Sequence, residues 1–412
     1  MLSRAAPFLL VIFVAAAFYQ KYFFLVRNDG GGDLLYSDIP KSLMFWKGQD
    51  PYMVQPYAAP YPPFFMLLLG GIIHATQSGI SPTLGLISLD VRLVGLLADL
   101  LVGVLIFLAL RRRGLSGLGV LVPTMLYLGL PSISWSPYFF WHSDVFGYPI
   151  LAGAVLALSM NRVFAGSTLL ALATIFKFHP ILALPLVLIW VFRRNGVRQA
   201  LPSLVSSGAV LFAGMVLPLG LTGYANAVIG FNVSNGLGTG TSSFSIMNLF
   251  YEFLPALEGI NLSLLAINQV WIIVSAALFV LAMGRVWFRA GSMDGVDVVL
   301  LGLLVWLLPL RELYTHYMVW MIVPFLMRGR LTQSIVLGGL LELANTMAVW
   351  SWNIPPNPFP WMTTAYGFFL TSIAYASVST FAIIMVLKGS AGKGKTLGTA
   401  SLRIGGGASL MS

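Results

Sequence analysis

Long apolar stretches recur along this chain, and they constrain its fold more than any other feature. Such stretches lie near residues 5–26, 87–110, 115–131, 145–161, 199–221, 265–286, 332–350 and 363–387. A helix needs about 20 mostly apolar residues to cross a bilayer. Only 9% of the 412 residues are charged, whereas a soluble globular protein carries about 25%. The sequence therefore predicts an all-α polytopic integral membrane protein and excludes a soluble protein, a nucleic-acid binder and a disulfide scaffold.

Three further apolar segments determine how many crossings we predict. The segment 163–190 is interrupted by Lys177, His179 and Pro180, so we expect two short helices there. Another pair of helices is predicted at about 296–310 and 316–327. The segment 62–76 is predicted either to cross the membrane or only to re-enter it. The sequence thus predicts 12 or 13 transmembrane helices in one domain covering residues 1–388.

The distribution of Lys and Arg predicts the orientation of these helices, since both residues favour the cytoplasmic side. Basic residues at alternate helix ends place the loops 27–61, 132–144 and 222–262 outside, and we expect the last of these to be flexible. A flexible basic tail, 389–412, is predicted inside. We expect the first helix to be retained in a multi-pass protein of the cell membrane, or of the endoplasmic reticulum in a eukaryote. If 62–76 crosses fully, Arg111–Arg113 fall on the outer side instead.

The loop 27–61 contains the residues that most resemble a catalytic centre. Asp33 and Asp38 follow the first helix, and a carboxylate at the membrane surface can accept a proton from a substrate hydroxyl. The alternative is that both are solvated loop acids. The loop continues through Gly48-Gln49-Asp50-Pro51-Tyr52 to Tyr61-Pro62-Pro63-Phe64, where the next apolar segment begins.

These segments resemble the polytopic glycosyltransferases of the GT-C superfamily. The closest likeness is to glycosyltransferase family 87, the polyprenol-phosphate-mannose-dependent mannosyltransferases. The first mannosyltransferase of glycolipid-anchor synthesis is more distantly similar. Two later segments are similar to that family in the same order: a small-residue helix from Ala165 that ends in Lys177-x-x-Pro180, and the helix start Tyr314–Trp320.

The resemblance implies inverting transfer of a hexose, with mannose expected, from a polyprenyl-phosphate donor to a lipid or glycan hydroxyl on the outer face. It implies a catalytic aspartate in the first outer loop, and Asp33 is favoured over Asp38. Tyr52 belongs to the family's turn and is a substrate-binding candidate. The family's Gly-Gln pair is absent, and His142 and Asp144 occupy its region as further substrate-binding candidates. The implied partners are membrane lipid, the donor and the acceptor.

The chemistry of such a transfer also needs cations, because negative charge builds on the departing phosphate. Lys177, His179, Arg311 and His316 are the candidates, since ionisable residues near membrane depth are costly and commonly functional. The alternatives are that Lys177 and Arg311 extend to the interface, and that Arg311 pairs with Glu312. No cofactor and no metal site are predicted, although the pair of His142 and Asp144 leaves a divalent metal open.

The competing hypothesis is a secondary transporter or flippase for lipid-linked sugars. Such a protein places essential charges near the bilayer midplane and commonly has internal repeats. The sequence has no evident repeat, and its charges lie mainly near the predicted membrane surfaces. Asp90, Arg92 and Asp99 are an exception, and we expect them to form a charge network along one helix. A non-catalytic assembly subunit is a third possibility.

Overall fold

The structure is a computed structural model, and it describes residues 2–27, 39–49, 62–76, 84–130, 143–218, 264–307, 317–351 and 365–389, with Gly220, Phe359 and Trp361. Regular structure in these residues is entirely helical, without a β-strand among them. The α-helices, in chain order, are α1 Leu2–Arg27, α2 Ile39–Trp46, α3 Pro63–Thr76, α4 Leu84–Arg112, α5 Leu118–Gly129, α6 Tyr148–Ser159, α7 Val163–Phe176, α8 Ala183–Asn195, α9 Val197–Leu211, α10 Leu264–Arg289, α11 Gly295–Leu307, α12 Tyr317–Met327, α13 Leu331–Ser351 and α14 Ala365–Gly389.

Four of these helices are long and apolar enough to cross a membrane, judged by length and composition. The spans are Ala5–Tyr22, Leu93–Arg112, Val197–Val216 and Phe369–Lys388, and six shorter helices in the described residues are also apolar. Large apolar side chains on these and neighbouring helices face outward, with Phe8 70% exposed and Leu281 69% exposed. Apolar surface of this extent is unfavourable in water and suits a lipid environment. The all-α prediction is confirmed, and the helices are consistent with membrane association.

The interior of the bundle is formed by α6, α11 and α12. Every residue of α12 from Met318 to Met327 is buried, as is every residue of α11 from Gly295 to Val305. A helix that is apolar on all sides belongs in the interior rather than at the surface. These helices pack on one another, and α4 and α8 cover them. Side chains at the ends of these three helices are therefore attached to a packed interior.

The break predicted within 163–190 is confirmed. The helix α7 ends at Phe176, and a short 3₁₀ helix, His179–Leu182, precedes α8. Lys177 has an extended backbone, with φ −152° and ψ 137°. Pro180 has no N–H group to donate to the carbonyl oxygen four residues earlier, so a continuous α-helix is not stable here. The predicted pair of helices around 296–327 is also present, as α11 and α12.

A short helix, α2, lies within the segment that the sequence predicted as the first outer loop. It packs on α3, and a Cβ at Gly70 would lie only 2.4 Å from the carbonyl oxygen of Ser42. Ser42 Oγ donates a hydrogen bond to Met66 Sδ at 3.2 Å. Ile39 and Phe45 are buried by this contact. The part of the loop that the structure describes is therefore folded against the helical bundle.

One end of the bundle carries a network of arginines. Arg113 forms an ion pair with Asp294 and donates a hydrogen bond to the carbonyl oxygen of Arg328 at 3.1 Å. Arg328 Nε lies 2.7 Å from Asp297 Oδ1. Burial lowers the pKa of both guanidinium groups, and the nearby Asp297 carboxylate opposes this effect. We call this the basic end, where Arg113 and Arg328 lie together.

Candidate functional site

A buried cluster of polar residues lies at the opposite end of α6, α7 and α12. Its first member, Asp144, is on the 3₁₀ turn Ser143–Phe146 that leads into α6. The Gly147 N–H group donates to the Asp144 carbonyl oxygen at 2.9 Å and closes the turn. A Cβ at Gly147 would lie 2.5 Å from Trp320 Cη2. Only glycine therefore lets this turn approach α12 so closely.

The second and third members follow the break after α7. Because the backbone of Lys177 is extended, its side chain leaves the helical register of α7. His179 follows at the start of the 3₁₀ helix, with Pro180 in the first turn. Lys177 is 2% exposed and His179 is 6% exposed. Lys177 is therefore enclosed by protein, and the alternative that it extends to the membrane interface is wrong.

The carboxylate of Asp144, which is 1% exposed, is approached by the side chains of Lys177, His179 and Trp320. Lys177 Nζ lies 3.2 Å from Asp144 Oδ2, and His179 Nε2 lies 4.0 Å from Asp144 Oδ1. Trp320 Nε1 donates a hydrogen bond to Asp144 Oδ1 at 2.9 Å. A buried charge is tolerated only when it is paired and hydrogen-bonded. Asp144 thus pairs with the Lys177 ammonium and accepts the Trp320 N–H, with the His179 imidazole beside it.

Aromatic rings enclose this cluster. The His179 ring meets Tyr317 edge to face at 4.4 Å and lies 5.9 Å from Trp320. Tyr148 meets Trp320 edge to face at 5.0 Å. Lys177 Nζ is 5.5 Å from the centre of the Tyr317 ring. Aromatic faces stabilise a nearby ammonium and exclude water, so charge interactions inside the cluster are strong.

The arrangement places several hydrogen-bond donors where water is largely excluded. Lys177 carries three N–H donors and no acceptor, and an imidazole provides at least one donor. An anionic group that entered the cluster would compete with Asp144 for both. No group of three or more His, Asp or Glu side chains suited to a metal occurs in the part of the chain that the structure describes. Within the cluster, Lys177 and His179 are therefore held against a single buried carboxylate.

The structure brings together three of the residues predicted from the sequence, namely Asp144, Lys177 and His179. The other six candidates lie outside the described residues: Asp33, Asp38, Tyr52, His142, Arg311 and His316. Sequence reasoning did not assign Tyr317, Trp320 or Tyr148 to the site. The first two belong to the segment similar to the family's outer helix start, so this segment was the available signal.

A second buried charge cluster lies between α1, α4 and α5. Lys21 forms an ion pair with Asp99, and both side chains are fully buried. The Tyr127 hydroxyl donates to Asp99 Oδ1 at 2.7 Å. The sequence led us to expect that Asp99 belongs to a network within its own helix. The partners that the structure describes for Asp99 come from two other helices. The side chains of Asp90 and Arg92 lie outside the described residues, so the network within the helix stays a prediction.

This chain matches no known protein family, and no curated protein matches it. The likeness to the GT-C superfamily therefore depends on the sequence segments themselves. Two of those segments, the end of α7 and the start of α12, supply Lys177 and Trp320 to the buried cluster. They lie far apart in sequence and meet in the fold.

Proposed function

We propose that this protein is a multi-pass membrane glycosyltransferase of the GT-C type. It transfers a hexose, with mannose as the expected sugar, from a polyprenyl-phosphate donor to a lipid or glycan hydroxyl on the outer face. The protein is accordingly proposed to cross the membrane 12 or 13 times, with the shorter apolar helices contributing to the crossings. The polyprenyl-phosphate sugar is a substrate, and no cofactor is proposed.

The observation that carries this proposal is the buried contact between Lys177 and Asp144. The sequence singled out Lys177 as a cation for a departing phosphate, and in the structure it lies 3.2 Å from Asp144 with His179 beside it. An ion pair that serves only stability is commonly replaceable by apolar side chains. A lysine, an imidazole and two aromatic rings enclosed together provide the chemistry that phosphate recognition needs. This combination favours an anion site over a purely structural contact.

The proposed reaction is a single displacement at the anomeric carbon. The acceptor oxygen forms a bond to that carbon while the bond from the carbon to the phosphate oxygen breaks. The acceptor proton passes to the carboxylate of Asp33 or Asp38, and the electron pair leaves with polyprenyl phosphate. The configuration inverts because the acceptor attacks from the face opposite the leaving group.

Lys177 and His179 are proposed to stabilise the departing phosphate. The phosphate becomes more negative as the bond breaks. Hydrogen-bond donors that are already in position therefore stabilise the departing phosphate more than the intact polyprenyl-phosphate sugar. Asp144 positions Lys177 and is a positioning residue rather than a catalytic one. Trp320 in turn orients Asp144 through its indole N–H at 2.9 Å.

The test is a transfer assay with the purified full chain in liposomes that contain a membrane lipid extract. Radiolabelled polyprenyl-phosphate-mannose is supplied, and labelled glucose and galactose donors are compared with it. We expect label in a lipid or glycan product with mannose, and loss of transfer in D33A or D38A. The enzyme hypothesis is rejected if no hexosyl donor supports transfer. Full activity in both aspartate variants would reject the assignment of the base.

The buried pair Lys21–Asp99 specifically favours a second candidate, a transporter or flippase for lipid-linked sugars. Ionisable residues enclosed between apolar helices commonly mark transport pathways, and both side chains are fully buried. The discriminating assay measures movement of a fluorescent lipid-linked sugar between liposome leaflets. Movement without transfer, abolished in K21M and K21M/D99N protein that keeps its helical circular dichroism, would support this candidate over the enzyme.

A further inference from the structure

At the basic end, the last turn of α8 lies against the last turn of α10. Two arginines and three aromatic residues form the surface there, which we call the α8–α10 seam: Phe192, Arg193, Trp287, Phe288 and Arg289. Phe288 is 81% exposed, and Phe192 and Trp287 are both more than two fifths exposed. Cationic and apolar side chains are thus presented side by side at the surface.

The guanidinium of Arg193 is fixed in place within the seam. Its Cζ atom lies 4.7 Å from the centre of the Trp287 ring, and its Nε–H group donates to the Trp287 carbonyl oxygen at 3.3 Å. Phe192 stacks near the same indole, with ring centres 6.0 Å apart. A guanidinium has five N–H donors in a planar fork. Among the residues that the structure describes, the contacts of Arg193 use one of these donors, which leaves its two terminal nitrogens for an anion.

The local charge of the seam is positive. Two carboxylates near the basic end, Asp294 and Asp297, form ion pairs with Arg113 and Arg328. Neither of these pairs involves an arginine of the seam. Arg193 and Arg289 are exposed, and so are Arg194 and Arg198 nearby. This charge is complementary to an anion.

One class of ligand satisfies both the charge and the apolar surface. Arginine forks bind phosphate in a bidentate manner, and clusters of Lys and Arg at a membrane boundary attract anionic lipids. The exposed rings of Phe192 and Phe288 are suited to acyl chains. We propose that the α8–α10 seam binds an anionic phospholipid, with its phosphate on Arg193 and its chains along the two phenylalanines. This proposal rests on the membrane placement under the proposed function and is independent of glycosyl transfer.

The test is native mass spectrometry of the purified full chain in detergent, titrated with phosphatidylglycerol and with phosphatidylcholine of the same chain length. We expect phosphatidylglycerol to bind at lower concentration, because phosphatidylcholine carries its own positive charge. R193A is expected to weaken phosphatidylglycerol binding by about fivefold and to leave phosphatidylcholine unchanged. R193K is expected to lie between wild type and R193A, since it keeps the charge without the fork. It also keeps the test valid if R193A unfolds.

The matched control is R162A, which removes one exposed arginine at the turn between α6 and α7. It should bind phosphatidylglycerol as wild type does. Equal losses in R162A and R193A, or equal binding of the two lipids, would overturn the proposal in favour of diffuse charge. Displacement of phosphatidylglycerol by an equal concentration of inorganic phosphate would overturn the lipid assignment. Lipid binding by a protein without transferase activity would leave this proposal standing and reject only the enzyme.

Discussion

Removing Lys21 from its ion pair with Asp99 should lower the free energy of unfolding, and the burial of the pair indicates by how much. Both side chains are fully buried, and Asp99 also accepts a hydrogen bond from Tyr127 at 2.7 Å. The variant K21M keeps an unbranched side chain of similar length and removes the charge. It leaves a buried carboxylate that retains only the Tyr127 hydrogen bond among these contacts. Breaking a buried pair on one side in this way costs about 3 to 5 kcal/mol.

The double variant K21M/D99N distinguishes loss of the pair from loss of packing. With both charges removed, no uncompensated charge is buried, so the free energy of unfolding should recover well above that of K21M alone. We expect the two substitutions to be non-additive by roughly 1 to 3 kcal/mol. K47M, at an exposed lysine after α2, is the matched control and should change stability little.

The assay is equilibrium unfolding in detergent micelles, followed by helical circular dichroism. Agreement between the unfolding and refolding curves establishes that the free energies are meaningful. Equal stability of K21M and wild type, or additive losses in the double variant, would contradict the predicted cost of removing Lys21. Either result would mean that Lys21 and Asp99 do not interact in the folded protein. Confirmation would also show that α1 packs on α4 in the folded protein.

Further predictions concern the glycine at the site and the basic end. G147A should lower stability by about 1 to 3 kcal/mol and reduce transfer, because the new methyl displaces Trp320 from Asp144. The control is G129A, since nothing lies within 4 Å of a Cβ at Gly129. Thermal unfolding and the transfer assay check both variants. R328M should cost about 3 to 5 kcal/mol by leaving Asp297 without its ion pair. An R328M/D297N double variant that is no more stable than R328M would contradict this account.

Local features of the fold could be predicted from the sequence. The break around Lys177 and Pro180 depends on the missing N–H of proline and on charge within an apolar segment. Both are visible in a short stretch of residues. The apolar runs likewise predicted most helices, since helix hydrogen bonds are local. The helix α2 was not predicted because it is only eight residues long and depends on packing against α3.

Long-range pairing was not predictable in the same way. Asp144 was a candidate and so was Lys177, but nothing in a single sequence specifies that these two meet. Their contact depends on how α6 and α7 pack, and the approach of Trp320 depends on a glycine at 147. Asp99 and Lys21 are separated by 78 residues, so an assignment within one helix was the simpler hypothesis. Both contacts depend on tertiary packing.

The most direct test of the central claim is the rate of sugar transfer by K177M relative to wild type and R162A. Lys177 is proposed to stabilise the departing phosphate, and loss of one such donor lowers turnover by about 100-fold or more. We expect that loss in K177M with the protein still folded, as judged by helical circular dichroism, and full activity in R162A. Undiminished transfer by folded K177M would contradict the proposed site.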